Sequence, residues 1–246
     1  MKRITKKVLP ISLALAISFS ANISHSADFE PSSYINTAFG INLCGPGSSL
    51  TSCLDPVILG TSSEGTSFDL QSISSGESAG QMGNLSKAVV GTTYSFAQVV
   101  LSRAFTVTGQ AAAAGGNARC RTRANNDFNN TSGNEAAVVA ANDTAAAVSQ
   151  IMGIPDTTDL GTHMQGTTST DGINGADNAT LGKIQAGEPN VKFRFELTKP
   201  ITIKSGKLPT FTIAFDLGEA IEFNTVGGTA CVVTPGSPVV TATFSN

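Results

Sequence analysis

The chain of 246 residues has no tryptophan, only two tyrosines, two histidines and four cysteines, and 13% of it is charged. Each scarcity closes off a class of function. A membrane-spanning β-barrel carries aromatic girdles at both interfaces; Tyr34 and Tyr94 alone cannot build them, and the last residues, TATFSN, bring no tyrosine or tryptophan. A zinc centre wants cysteines or histidines at short spacing, and no cysteine pair here is that close. A Ser–His–Asp triad would have to use His163, in the most loop-like part of the chain. There is no HExxH, no glycine-rich phosphate loop with lysine, and no acidic pair set among aromatics. A chain without a basic stripe offers nothing to nucleic acid or to anionic lipid. These absences predict a protein that is not an enzyme and takes no cofactor.

What is present begins with a leader. Lys2, Arg3, Lys6 and Lys7 precede an apolar run from Val8 to Ile23, and small residues follow at Ser24, Ser26 and Ala27. That is the layout of a secretory signal peptide over 1–27, with cleavage after Ser26 or Ala27. The run contains Pro10 and several serines and is shorter than the roughly 20 apolar residues a spanning helix needs. No transmembrane anchor is therefore expected after cleavage, and the protein is placed in the periplasm, at the cell surface or outside the cell. Loss of the leader leaves 11 cations against 18 acids, a net charge of about −7.

Export decides how the cysteines read. Four in an oxidising compartment predict disulfides. Cys44 and Cys53 bracket GPGSSLTS, a turn-forming loop that brings its ends together cheaply, which leaves Cys120 for Cys231. Around Cys120, the segment ARCRTR alternates, putting Arg119, Arg121 and Arg123 on one face and the cysteine on the other. The cysteine is expected to point inward, and the arginines to form a solvated edge or an anion-binding ridge.

The rest reads mainly as strands. Phe39, Ile41 and Leu43 alternate before the first cysteine. TTYSFAQVVLSRAFTVTG, residues 92 to 109, switches its apolar parity midway, which predicts a long strand with a bulge near Ala97–Gln98, or a tight pair. From residue 192 onward, period-2 segments follow one another between Gly and Pro breaks. Phe193, Phe195 and Leu197 face one way; Lys192, Arg194 and Glu196 face the other, as on a solvent side. Between these regions, Ser132 with Glu135 makes a capping box, and Val138, Ala141, Ala145, Val148 and Met152 follow helical spacing up to Gly153 and Pro155. Residues 156 to 190 read as a long surface loop, in which Asp171, Asn174 and Asp177 are calcium candidates on a turn of oxygen ligands.

The expected architecture is an antiparallel β-sandwich, immunoglobulin- or jelly-roll-like, forming one β-rich domain over 28–246. One Ala-rich helix and a long loop are inserted at about 110–190. An exported β-rich chain without reactive groups points to a structural or adhesive surface protein. Small, weakly charged, Thr/Gly/Ala/Val-rich chains with alternating segments near both mature ends resemble secreted fibre subunits of a pilus-like kind. FGINL then serves as a strand for a neighbour, VVTATFSN as a terminal strand, and the partners are further copies of itself or other surface proteins. The chain departs from chaperone-assembled pilins in its close Cys44–Cys53 pair and its lack of a penultimate tyrosine. The alternative expectation is a periplasmic or secreted module that binds a ligand through 110–190.

Overall fold

The computed structural model describes residues 27–29, 31–72, 82–112, 118–124, 135–140, 148–156, 159–206, 210–218, 220–226, 230–235 and 239–245. The expected leader over 1–27 lies outside these residues except for Ala27.

Among the described residues the chain is mainly β, and every strand pairing is antiparallel. One sheet has seven strands, built around β2 (Ser33–Cys44). On one side β2 pairs with β3 (Val57–Asp69); on the other it pairs with β4 (Thr93–Ser102) and then β5 (Ala104–Thr108). Of the two readings of 92–109, a bulged long strand or a tight pair, the structure has two successive strands separated by Arg103, each paired with β2 and not with the other, and no bulge at Ala97–Gln98. Beyond β4 lies β11 (Asn190–Thr202), and the register shift sits on that strand, between Glu196 and Ile201. The sheet is completed by β9 (Gln150–Gly153) against β5 and by β10 (Met164–Thr167) against β11.

A six-stranded sheet follows the order β1 (Ala27–Phe29), β13 (Ile221–Val226), β14 (Ala230–Pro235), β8 (Glu135–Ala140), β7 (Ala118–Thr122) and β6 (Gln110–Ala112). The strands β12 (Thr210–Asp216) and β15 (Val239–Ser245) form a third, two-stranded sheet.

Core packing joins these layers. Tyr34, Phe105, Val107 and Met152 of the seven-stranded sheet share one buried cluster with Ala111, Cys120, Ile221, Phe223 and Val233 of the six-stranded sheet. The Tyr34 and Phe105 rings stack with centroids 4.9 Å apart. A second cluster gathers Ile41, Leu43, Tyr94, Ala97, Val99 and Phe195, with Phe211 and Ile213 of β12 against it. In β2 the buried positions change from Tyr34 and Ala38 to Ile41 and Leu43, an even-to-odd switch that the register shift between Ala38 and Gly40 accommodates. Phe39, expected to share their face, stays half-buried outside both clusters.

Among the described residues the Ala-rich helix is not formed. Glu135–Ala140 is strand β8, paired with β7 and β14, and Gly153 pairs with Ala104 instead of ending a helix. Ser132, Ala141 and Ala145 lie outside the described residues. The physical reason is that alanines carry little apolar contrast, so the helical spacing was weak. Val138 and Val139 are β-branched, and two waiting strand edges decide the outcome. The only helices among the described residues are three short 3-10 turns. The stretch read as an insertion therefore supplies strands to both large sheets.

Candidate functional site

The surface loop expected over 156–190 is instead a cover. Four consecutive residues of β4, Ala97, Gln98, Val99 and Val100, are all at most 3% exposed, so the strand shows no wet face. Ala97 and Val99 enter the apolar core. Gln98 and Val100 lie under the segment between β10 and β11, hereafter the strap.

The strap is held to the sheet by side chains that alternate with the core residues. Asn42, Gln98 and Arg194 stand opposite one another on β2, β4 and β11 in a single cross-strand row. Asn42 Nδ2 donates to the Asp171 carbonyl at 2.9 Å, and Gln98 Nε2 donates to the Gly172 carbonyl at 2.9 Å. From β11, Asn190 Nδ2 donates to the Ser169 carbonyl at 3.0 Å. Lys192 Nζ pairs with both oxygens of Asp177, at 2.7 and 2.8 Å. The approach is close enough to exclude side chains. A Cβ on Gly40 would meet the Thr170 carbonyl at 2.8 Å. Gly172 has φ +82, and a Cβ there would run into the amides of Asn42 and Gln98.

Arg103, between β4 and β5 and 4% exposed, fixes the base of the strap. Its guanidinium donates to the carbonyls of Ile154, Gln185 and Glu188, and Nη2 pairs with Asp156 at 2.8 Å.

A cleft of about 380 Å³ opens between the strap and the loop that ends at Cys53. Gln98, Lys192 and Arg194 line it from the sheet, Ile173 and Asp177 from the strap, and Ser52 from the loop. The Cys44–Cys53 disulfide closes that loop with its Cα atoms 4.9 Å apart. The loop reaches back to the sheet through the Leu50 carbonyl, which accepts from Arg194 Nη1 at 2.8 Å. Arg194 Nη2 donates to Gln98 Oε1, also at 2.8 Å, while Nε is buried with no partner. Burial lowers the pKa of Arg194, and the charge of Asp177 opposes that shift.

The chain matches no family model, no curated protein and no solved structure.

The residues singled out in the sequence fall in several places. The Cys44–Cys53 bridge forms as expected and builds a wall of the cleft. Cys120 is 1% exposed, sits in the core, and is disulfide-bonded. Cys231 lies on β14, and its side chain is outside the described atoms. Arg121 is half-buried on β7, and Arg123 is exposed just beyond it; the side chain of Arg119 is not among those described. β7 is not an edge, because β6 and β8 flank it.

Of the calcium candidates, Asp171 and Asn174 are bonded to each other, and Asp177 is committed to Lys192 and to Thr167 Oγ1. Burial raises the Asp171 pKa, but hydrogen bonds from the Ile173 and Asn174 N–H groups, the Asn174 side chain and Ser169 outweigh it and hold the carboxyl at about 2. Among the described residues, no group of three His, Cys, Asp or Glu is placed to hold a metal ion. His163 is exposed on the turn Gly161–His163, with its ring tilted against Phe193 at 6.3 Å.

Lys192 and Arg194, expected on a solvent face, are 6% and 7% exposed. Alternation located that face but not what covers it. One signal was visible: the glutamine of FAQVVL is a long polar side chain inside a strongly apolar strand, and such a group must find partners.

Proposed function

We propose that this chain is an exported, non-catalytic protein of the periplasm or cell surface, structural or adhesive in kind, built as a β-sandwich. The observation that carries the reading is the disulfide-stapled, all-antiparallel β framework, with six- and seven-stranded sheets packed over Tyr34, Phe105 and Phe223. Disulfides belong to oxidising compartments, and the described residues contain no helix long and apolar enough to cross a membrane. The fibre form of the proposal uses β15 and not FGINL. FGINL lies within β2, paired on both sides, whereas among the described residues β15 pairs with β12 alone. Fractionation of the producing cells, then native isolation and electron microscopy, tests this. Recovery in the cytoplasm, or as monomer alone at every concentration, overturns it.

A second reading is favoured by the cleft: a periplasmic or secreted ligand-binding module. Gln165, Gly172, Ile173 and Asp177, all from the 110–190 segment, line the opening over a polar sheet face. A thermal-shift screen of small polar compounds against the exported protein tests it, and a panel without a single saturable stabiliser counts against it.

A further inference from the structure

We propose that the cleft over Arg194 is a binding site for a small monocarboxylate, with the Arg194 guanidinium as its anchor. This rests on the binding-module reading and names its ligand class.

The charges of the lining carry the inference. Lys192, Arg194 and Asp177 are the charged groups around the cleft. Asp177 is already taken by Lys192 through both oxygens. Arg194 is 7% exposed, and its guanidinium is hydrogen-bonded only to neutral acceptors, the Leu50 carbonyl and Gln98 Oε1. A guanidinium has five N–H donors, so three remain, Nε among them. A cation removed from water without an anion is costly, and a bound carboxylate offsets that cost with charge-assisted hydrogen bonds.

The class follows from what the cleft would reject. The charged groups of the lining, Lys192, Arg194 and Asp177, leave one net positive charge, which calls for one negative charge, and the Asp177 carboxylate in the wall repels a second. A dianionic phosphate is disfavoured on that ground, and a neutral amide leaves the charge unmet. The opening suits a small molecule. Ile173, 41% exposed, and Pro56 offer apolar contact for the body of such a ligand, and the Ser52 hydroxyl can orient it.

The test uses the mature, oxidised chain, titrated by calorimetry and by ¹⁵N–¹H spectra of the arginine Nε–H groups. The probes are acetate, butyrate and lactate, with acetamide and butyramide as neutral isosteres and inorganic phosphate as the dianion. Saturable binding of a carboxylate that shifts the Arg194 Nε–H resonance, absent with its amide, supports the proposal. Arg194→Gln should then weaken binding about tenfold or more. The resonance shift in the unaltered chain decides the matter even if that variant misfolds. Equal binding of amide and acid, preference for phosphate, or full affinity in R194Q overturns the carboxylate assignment and leaves a binding module standing. No binding of any probe, together with no stabiliser in the wider screen, overturns both.

Discussion

Gln98 and Gly172 are bound to each other across 74 residues of sequence, the side-chain amide donating to the backbone carbonyl at 2.9 Å with both groups buried. That bond joins the middle of a β-sheet to the strap above it. Gly172→Ala forces a Cβ into the space of the Asn42 and Gln98 amides and a side chain into a left-handed backbone. We expect a loss of about 1–3 kcal/mol in urea unfolding. Proteolysis within 168–178 should quicken as the strap lifts; an unchanged midpoint would mean that the contact is dispensable.

Arg103→Met removes the donor shared by the Ile154, Gln185 and Glu188 carbonyls. A loss of about 3 kcal/mol is expected, because buried acceptors are left without partners. Arg103→Lys should recover only part of it, since an ammonium lacks the planar fork. Denaturant midpoints of the three proteins check the order.

Asp171 predicts an acid-sensitive step. Its folded-state pKa of about 2 lies below the ordinary value of 3.8, so its contribution is complete above pH 4 and lost as pH falls from there towards 2. Asp171→Asn should therefore melt below the parent protein at pH 6, with the gap closing by pH 2. A gap independent of pH would show that the carboxylate charge is not involved.

The disulfides make separable predictions. Replacing Cys44 and Cys53 together by alanine opens a loop of sequence separation 9 and should cost about 2–3 kcal/mol. Cys120 is disulfide-bonded, and its expected partner is Cys231. Non-reducing tryptic mapping should recover Cys120–Arg121 joined to the Leu208–Asn246 peptide, and reduction of that bridge should cost about 4–5 kcal/mol. Recovery of either half alone without reductant refutes the pairing.

The strands of the C-terminal third were legible because large apolar residues at period 2 admit few other readings. The Cys44–Cys53 pair was legible for a similarly local reason. The strand Glu135–Ala140 was not, because its alanines fit helix and sheet equally and partners distant in sequence chose between them. The candidate site was half legible. The sequence put Lys192 and Arg194 on one face and Gln98 in an apolar strand. Only the fold brings residues 168–178 over all three, and nothing in a loop's composition announces where it lands.

The double cover on β4 bears on how the molecule opens. Ala97 to Val100 have strand neighbours on both edges, core below and strap above, so water reaches none of their backbone groups by fraying. Their amide hydrogens exchange with solvent only when the strap detaches and the sheet parts together, as one cooperative event. Among the described residues, the slowest-exchanging amides are thus expected beside the polar cleft, at the centre of its floor. A ligand seated there would slow the exchange of the whole sheet.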